Sequence, residues 1–210
     1  MAKTKKIDQN KMMEILDWSY DKALNGLPRC PTAQELANDY LSKKNSVDEA
    51  VNSLIKWQNS KCGTSGFISG LGGIITLPVA LPANITSVIY IQIRMIAAIA
   101  YMGKYDLKSD QVRSLVYICL CGNSAKDISK NIGIKLGTKL SKSAINKISG
   151  KTLTKINQKV GFRLVTKFGQ KGVINMGKAI PVVGGLIGGT MDVVATNTIG
   201  KVSKKTFINN

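Results

Sequence analysis

Apolar residues follow a helical beat along most of the chain and crowd into one long block, residues 66–102, GFISGLGGIITLPVALPANITSVIYIQIRMIAAIAYM. The punctuation of that block is uneven. Gly66, Gly70, Gly72 and Gly73 crowd its front, and Pro78 and Pro82 break its middle. About 20 apolar residues suffice to cross a bilayer, but the prolines leave a short Gly-rich piece followed by a helix over residues 85–102. Gln92 and Arg94 sit near the centre of that helix, where a charge costs about 2.5–3.5 kcal/mol even on the lenient insertion scale. The pattern therefore favours a kinked apolar hairpin leading into a buried core helix over a true membrane span.

Ahead of the block the pattern predicts three amphipathic helices. Asp8 can cap the first, which carries Ile15, Leu16, Trp18 and Leu24 and stops at Asn25-Gly26. Two capping boxes follow, Thr32 with Glu35 and Ser46 with Glu49, starting helices that run to about Lys43 and Lys61. In the latter, Val47, Ala50, Val51, Leu54 and Trp57 recur at helical spacing as a core stripe. These helices make an N-terminal helical unit over residues 1–62, after a short basic tail. The rest, residues 63–207, reads as one helical core.

Beyond the block, Gly103 closes the long helix, and Ser109 is placed to cap another over residues 110–121. From Ser124 onward lysine dominates. Lys151, Lys155, Lys159, Arg163, Lys167 and Lys171 recur at every fourth position beside the apolar series Ile156, Val160, Leu164 and Phe168. At about 100° per residue the bases flank the apolar stripe. That arrangement suits a helix lying at a lipid headgroup interface, and equally a core-packed helix with a solvated basic flank. Gly150, Gly161 and Gly172 suggest breaks between two or three helices. The last structured stretch, residues 176–199, has Pro181 in a first turn, then Gly184, Gly185, Gly188 and Gly189 as two overlaid GxxxG spacings that admit close helix packing. It is expected to pack on the glycines around Gly70 and Gly73, with a fraying basic tail after it. The fold class that follows is all-α, a multi-helix bundle with a Gly/Pro-broken apolar helical hairpin in its core.

Charge changes the picture most. The net charge is +18, yet ten of the twelve acidic residues lie in the first 110 positions, leaving Asp127 and Asp192 alone among the bases of the second half. Such asymmetry calls for an anionic partner, lipid headgroups or nucleic acid. Arg29, Arg94, Arg113 and Arg163 are the only arginines. Base-specific readout leans on bidentate arginine, so a diffuse field fits better than a sequence reader. The chain has no histidine and no CxxC pair among Cys30, Cys62, Cys119 and Cys121, which argues against a metal site and leaves reduced core thiols. No cofactor is expected. A charge buried at Arg94 needs an acid, and Asp127, Asp192 and nearby Asn123 are the candidates for a buried polar cluster. No residue set stands out as catalytic. The N-terminal MAKTKKIDQNKMM has lysines but no apolar run, so no secretory signal is expected.

The run LPANITSVIYIQIRMIAAIAYMGKYDLKSDQVRSLVYICLCGNSAKDI and the ending IPVVGGLIGGTMDVVATNTIGKVSKKTF resemble the EcsC family of bacterial proteins. The resemblance spans roughly residues 45–207 and is carried best between Arg94 and Tyr105 and by the Gly-Gly-x-x-Gly-Gly ending. The ending is also loosely similar to helical domains of some membrane-associated GTPases, but no GxxxxGK[ST] phosphate loop is present. The family is named for a companion of an ABC-type transporter and has no agreed activity. The resemblance implies a helical, cytoplasmic protein at the inner face of the membrane, and it transfers no catalytic residues. The leading expectation is a non-enzymatic, peripheral binder of anionic membrane lipids, serving a membrane protein complex and self-associating through its Gly-rich helices. The alternatives are a sequence-nonspecific nucleic-acid binder, a membrane-perturbing effector, or a lipid-acting enzyme with no nominated residue.

Overall fold

A computed structural model describes residues 8–28, 30–62, 83–134, 142–168 and 184–208, without side-chain surroundings at 59–62, 83–84, 142 and 184–193. Every regular element among them is helical: α1 (Gln9–Asn25), α2 (Ala33–Ser42), α3 (Val47–Cys62), α4 (Ala83–Met102), α5 (Asp110–Leu120), a 3-10 turn (Gly122–Ser124), α6 (Ala125–Lys130), α7 (Lys142–Asn146), α8 (Gly150–Phe168) and α9 (Gly184–Phe207). The all-α expectation holds.

The helix starts follow from local chemistry. Asp8 Oδ1 accepts from the Lys11 amide at 2.9 Å, and Gly26 closes α1 with φ of 84°, a conformation that glycine adopts without strain. At α2 both arms of the capping box form: the Glu35 amide donates to Thr32 Oγ1 at 3.1 Å, and the Thr32 amide donates to Glu35 Oε2 at 2.8 Å. The Thr32 amide, with the Thr32 hydroxyl donating to the same Oε2 at 3.0 Å, holds the Glu35 carboxyl below its ordinary range, so its share of the cap is present near neutrality and is lost as the pH falls through the depressed value. Thr32→Ala should lower stability by about 1 kcal/mol, read as an earlier urea midpoint at unchanged slope. Ser109 departs from expectation. Its hydroxyl donates to Gln111 Oε1 at 2.7 Å and leaves the α5 amides uncapped.

Helix α4 is the axis of the fold. Residues 86–100 are all buried, with α1, α2, α3, α5 and α9 packed around them. Its window Ile85–Met102 is long and apolar enough to cross a membrane, with mean hydropathy 1.6, but 89% of it is buried inside the protein. One core runs through all of these helices and is shared across the boundary expected at residues 62 and 63. Tyr20 on α1 donates to Leu107 O at 2.8 Å and meets the Tyr117 ring edge-on at 5.9 Å, while Tyr117 donates to Asp17 Oδ1 at 2.7 Å. At the other end, Lys204 on α9 pairs with Asp48 and donates to Asn52 Oδ1 at 2.9 Å on α3.

Three expectations are corrected by packing. Trp57 is 52% exposed, because Gln58 rather than Trp57 completes the buried line of Ala50, Val51 and Leu54. Gly161 does not break a helix. It lies inside α8, where a Cβ would come within 2.9 Å of Gln9 Cγ, so α1 and α8 approach closely there. The tail after Gly200 does not fray, because Ser203, Thr206 and Phe207 are buried and extend α9 to residue 207.

Candidate functional site

The row of bases in the second half occupies the outer face of α8. Ile156, Val160 and Leu164 are fully buried, so the apolar stripe is spent on the core against α1, α5 and α6. Lys151, Lys155, Lys159, Arg163 and Lys167 are all exposed. A four-residue step advances about 40° around a helix, so the row winds slowly across the solvent side instead of bordering a free apolar stripe. The helix sequence, GKTLTKINQKVGFRLVTKF, contains no acid. Phe162 projects from this same face, 70% exposed and about 20° from the Lys155 direction. Phe162 is two residues, about 200°, from both Val160 and Leu164, so the helical period itself places it outside.

The rest of the molecule holds this face in place. Gln9 Nε2 donates to Gln158 O at 2.9 Å, and Ser114 donates to Asn157 Oδ1 at 3.3 Å. Two grooves flank Arg163 and share Ser124. The larger, about 710 Å³, runs between the start of α1 and α6 past Lys159 and Phe162. The smaller, about 470 Å³, lies between α8 and α9, with Lys167 on one wall and the 66%-exposed Val194 on the other. Lys171 lies outside the described residues.

Arg94 is only 2% exposed, as expected, but the company expected for it is elsewhere. Asp127 and Asn123 are exposed and line the grooves beside Arg163, one in each. The 3-10 turn and α6 carry them to the α8 end of the fold. Arg94 Nη1 instead donates to Pro31 O at 3.2 Å, and the guanidinium lies 5.6 Å from the Tyr90 ring centroid. The Asp192 side chain lies outside the described residues. On the opposite side of α4, Gln92 Nε2 donates to Thr196 Oγ1 of α9 at 3.0 Å. Gln92 Oε1 and both amide atoms of the buried Gln58 on α3 have no partner.

Of the glycines expected to mediate packing, Gly70 and Gly73 lie outside the described residues. Gly184, Gly185, Gly188 and Gly189 form the first turns of α9, whose surroundings are likewise not described. The described close approaches are at Gly103, Gly161 and Gly200; a Cβ on Gly200 would come within 2.7 Å of Ile55. Burial pushes the Cys119 and Cys121 thiols up to about 12, so both are neutral at physiological pH and poor nucleophiles.

A family model described as the EcsC protein family matches residues 5–208. The chain belongs to the EcsC family. The match begins at residue 5, well ahead of the stretch in which the resemblance is plain by eye, so the N-terminal helices are part of the EcsC unit. No curated protein and no solved structure matches the chain.

Proposed function

We propose that this EcsC protein is a peripheral, non-enzymatic membrane binder that docks on anionic lipid at the cytoplasmic face through the exposed side of α8, and there serves a membrane protein or complex. The observation that carries the reading is the exposed basic side of α8, a helix with no acid of its own, which also presents an exposed aromatic. Lys155, Lys159 and Arg163 leave α8 about 20°, 60° and 100° to one side of Phe162, and all four side chains are exposed. Each base near an anionic leaflet contributes about 1 kcal/mol, and an aromatic side chain on such a face can settle into the headgroup layer. The bases are mostly lysine, which suits a diffuse surface charge. The apolar stripe of α8 stays in the core, so docking requires no rearrangement of the helix.

Co-sedimentation with vesicles across a salt series tests the reading. The protein should pellet with phosphatidylserine-containing vesicles and not with neutral ones, and binding should weaken steeply as the Debye length shrinks from about 10 Å at 0.1 M salt to about 3 Å at 1 M. Equal partition to neutral and anionic vesicles would sink it. Retention on nucleic acid with no vesicle binding would favour a phosphate-backbone reader instead.

A further inference from the structure

Arg94 is a buried cation with no counter-ion among the described side chains. Every described side-chain carboxylate is exposed, and none of them forms an ion pair with Arg94. Asp192 is on α9, and α9 lies against the Gln92 side of α4, where Gln92 meets Thr196. Arg94 is two residues further on and leaves α4 about 200° around the helix, toward α2 and the turn that precedes it. The guanidinium has a single hydrogen bond, to Pro31 O, and its Nε has no partner. The buried Tyr90 hydroxyl beside it makes no hydrogen bond of ordinary length, although Arg94 is near enough to act on it as a weak donor. A guanidinium cannot shed its charge by losing a proton, and an uncompensated buried charge is costly.

We propose that Arg94 forms the floor of a binding site for a small oxyanion, a carboxylate or a phosphate, supplied from outside the chain. The planar fork of the guanidinium matches either group. Tyr90 lies under it, and burial pushes the Tyr40 hydroxyl on α2 up to about 12, with Asp39 adding to the rise and the Arg94 charge opposing it. Burial raises the Tyr90 hydroxyl as well, again against Arg94. Both phenols are therefore neutral donors near pH 7, suited to hydrogen-bond an anion. Access is short, because Pro31, whose carbonyl Arg94 touches, is itself exposed.

The test is thermal denaturation at constant ionic strength, with chloride exchanged for acetate or for inorganic phosphate. Wild-type protein should gain melting temperature in a saturating way. Arg94→Met should lose that gain, and Tyr90→Phe should lose at least half of it. A gain with acetate alone assigns a carboxylate ligand; a gain with phosphate alone assigns a phosphate. Equal gains in wild type and Arg94→Met would overturn the site and leave the response to the surface lysines. An anion response that appears only in Asp192→Asn would also overturn it, by showing that Asp192 already holds Arg94. If Arg94→Met does not fold, ¹⁵N-arginine labelling provides a direct reading, since the chain has four arginines. The Nε–H signal missing from Arg94→Lys should move with added phosphate or acetate, and a signal that stays fixed would end the proposal.

Discussion

Replacing Lys155, Lys159 and Arg163 together by glutamine is expected to weaken binding to anionic vesicles by roughly 100-fold. The figure follows from about 1 kcal/mol for each base near the surface and a tenfold change per 1.4 kcal/mol. All three side chains are exposed, so the melting temperature should hardly move, and lost binding cannot be blamed on lost folding. Glutamine at Lys44, Lys104 and Lys108, exposed lysines away from α8, should cost much less, because short-range contact and not net charge is the proposed cause. Phe162→Ser should leave the salt dependence intact and lower affinity at every salt concentration. An unchanged affinity in the triple variant would show that α8 is not the contact.

Gly103→Ala should lower stability by about 2–3 kcal/mol, toward the upper end of the usual cost of overpacking. A Cβ at Gly103 would run into the Phe207 carbonyl oxygen and would stand 3.0 Å from the Tyr105 ring. The first obstacle is backbone, which cannot swing aside as a side-chain tip does. Phe207 is fully buried, and its ring lies 5.2 Å from that of Tyr105, so the end of α9 has little room to yield. For a chain of this size the melting temperature should fall by about 4–12 °C. Gly161→Ala is the internal contrast. Its obstacle is the flexible Gln9 side chain, and alanine gains about 1 kcal/mol of helix propensity over glycine, so a near-neutral result is expected. Wild-type melting in Gly103→Ala would mean that α4 and α9 do not meet as described.

Local signals in the sequence carried the elements well. The caps at Asp8, Thr32 and Ser46 each accept the amide they were expected to accept, because capping is a chemistry of three or four neighbouring residues. The apolar block led to α4, and the four-residue beat of lysines led to α8. What could not be read was which neighbour covers which face. Trp57 and Gln58 are adjacent, and the packing of α3 against α2, α4 and α9 puts the amide inside. Arg94 announced itself as a buried charge, but its contact with Pro31 spans 63 positions along the chain. Asp127 is an isolated acid in a basic half and so the natural partner to expect, but the 3-10 turn and α6 place Asn123 and Asp127 in the two grooves beside Arg163. The exposure of Phe162 was legible by contrast, since it stands about 200° from the Val160 and Leu164 stripe.

The helices wrapped around α4 set a clock on any deeper engagement with lipid. Residues 86–100 cannot touch acyl chains until the helices packed around them, α1, α2, α3, α5 and α9, part, so entry of α4 into a bilayer could run no faster than that opening. Unfolding rates climb about 3–6-fold per 10 °C. Docking of the already exposed α8 face has no such barrier. In a stopped-flow experiment the two would separate on heating: a prompt phase that salt erases and warming barely alters, and, for a protein that inserts, a slow phase that steepens with every degree.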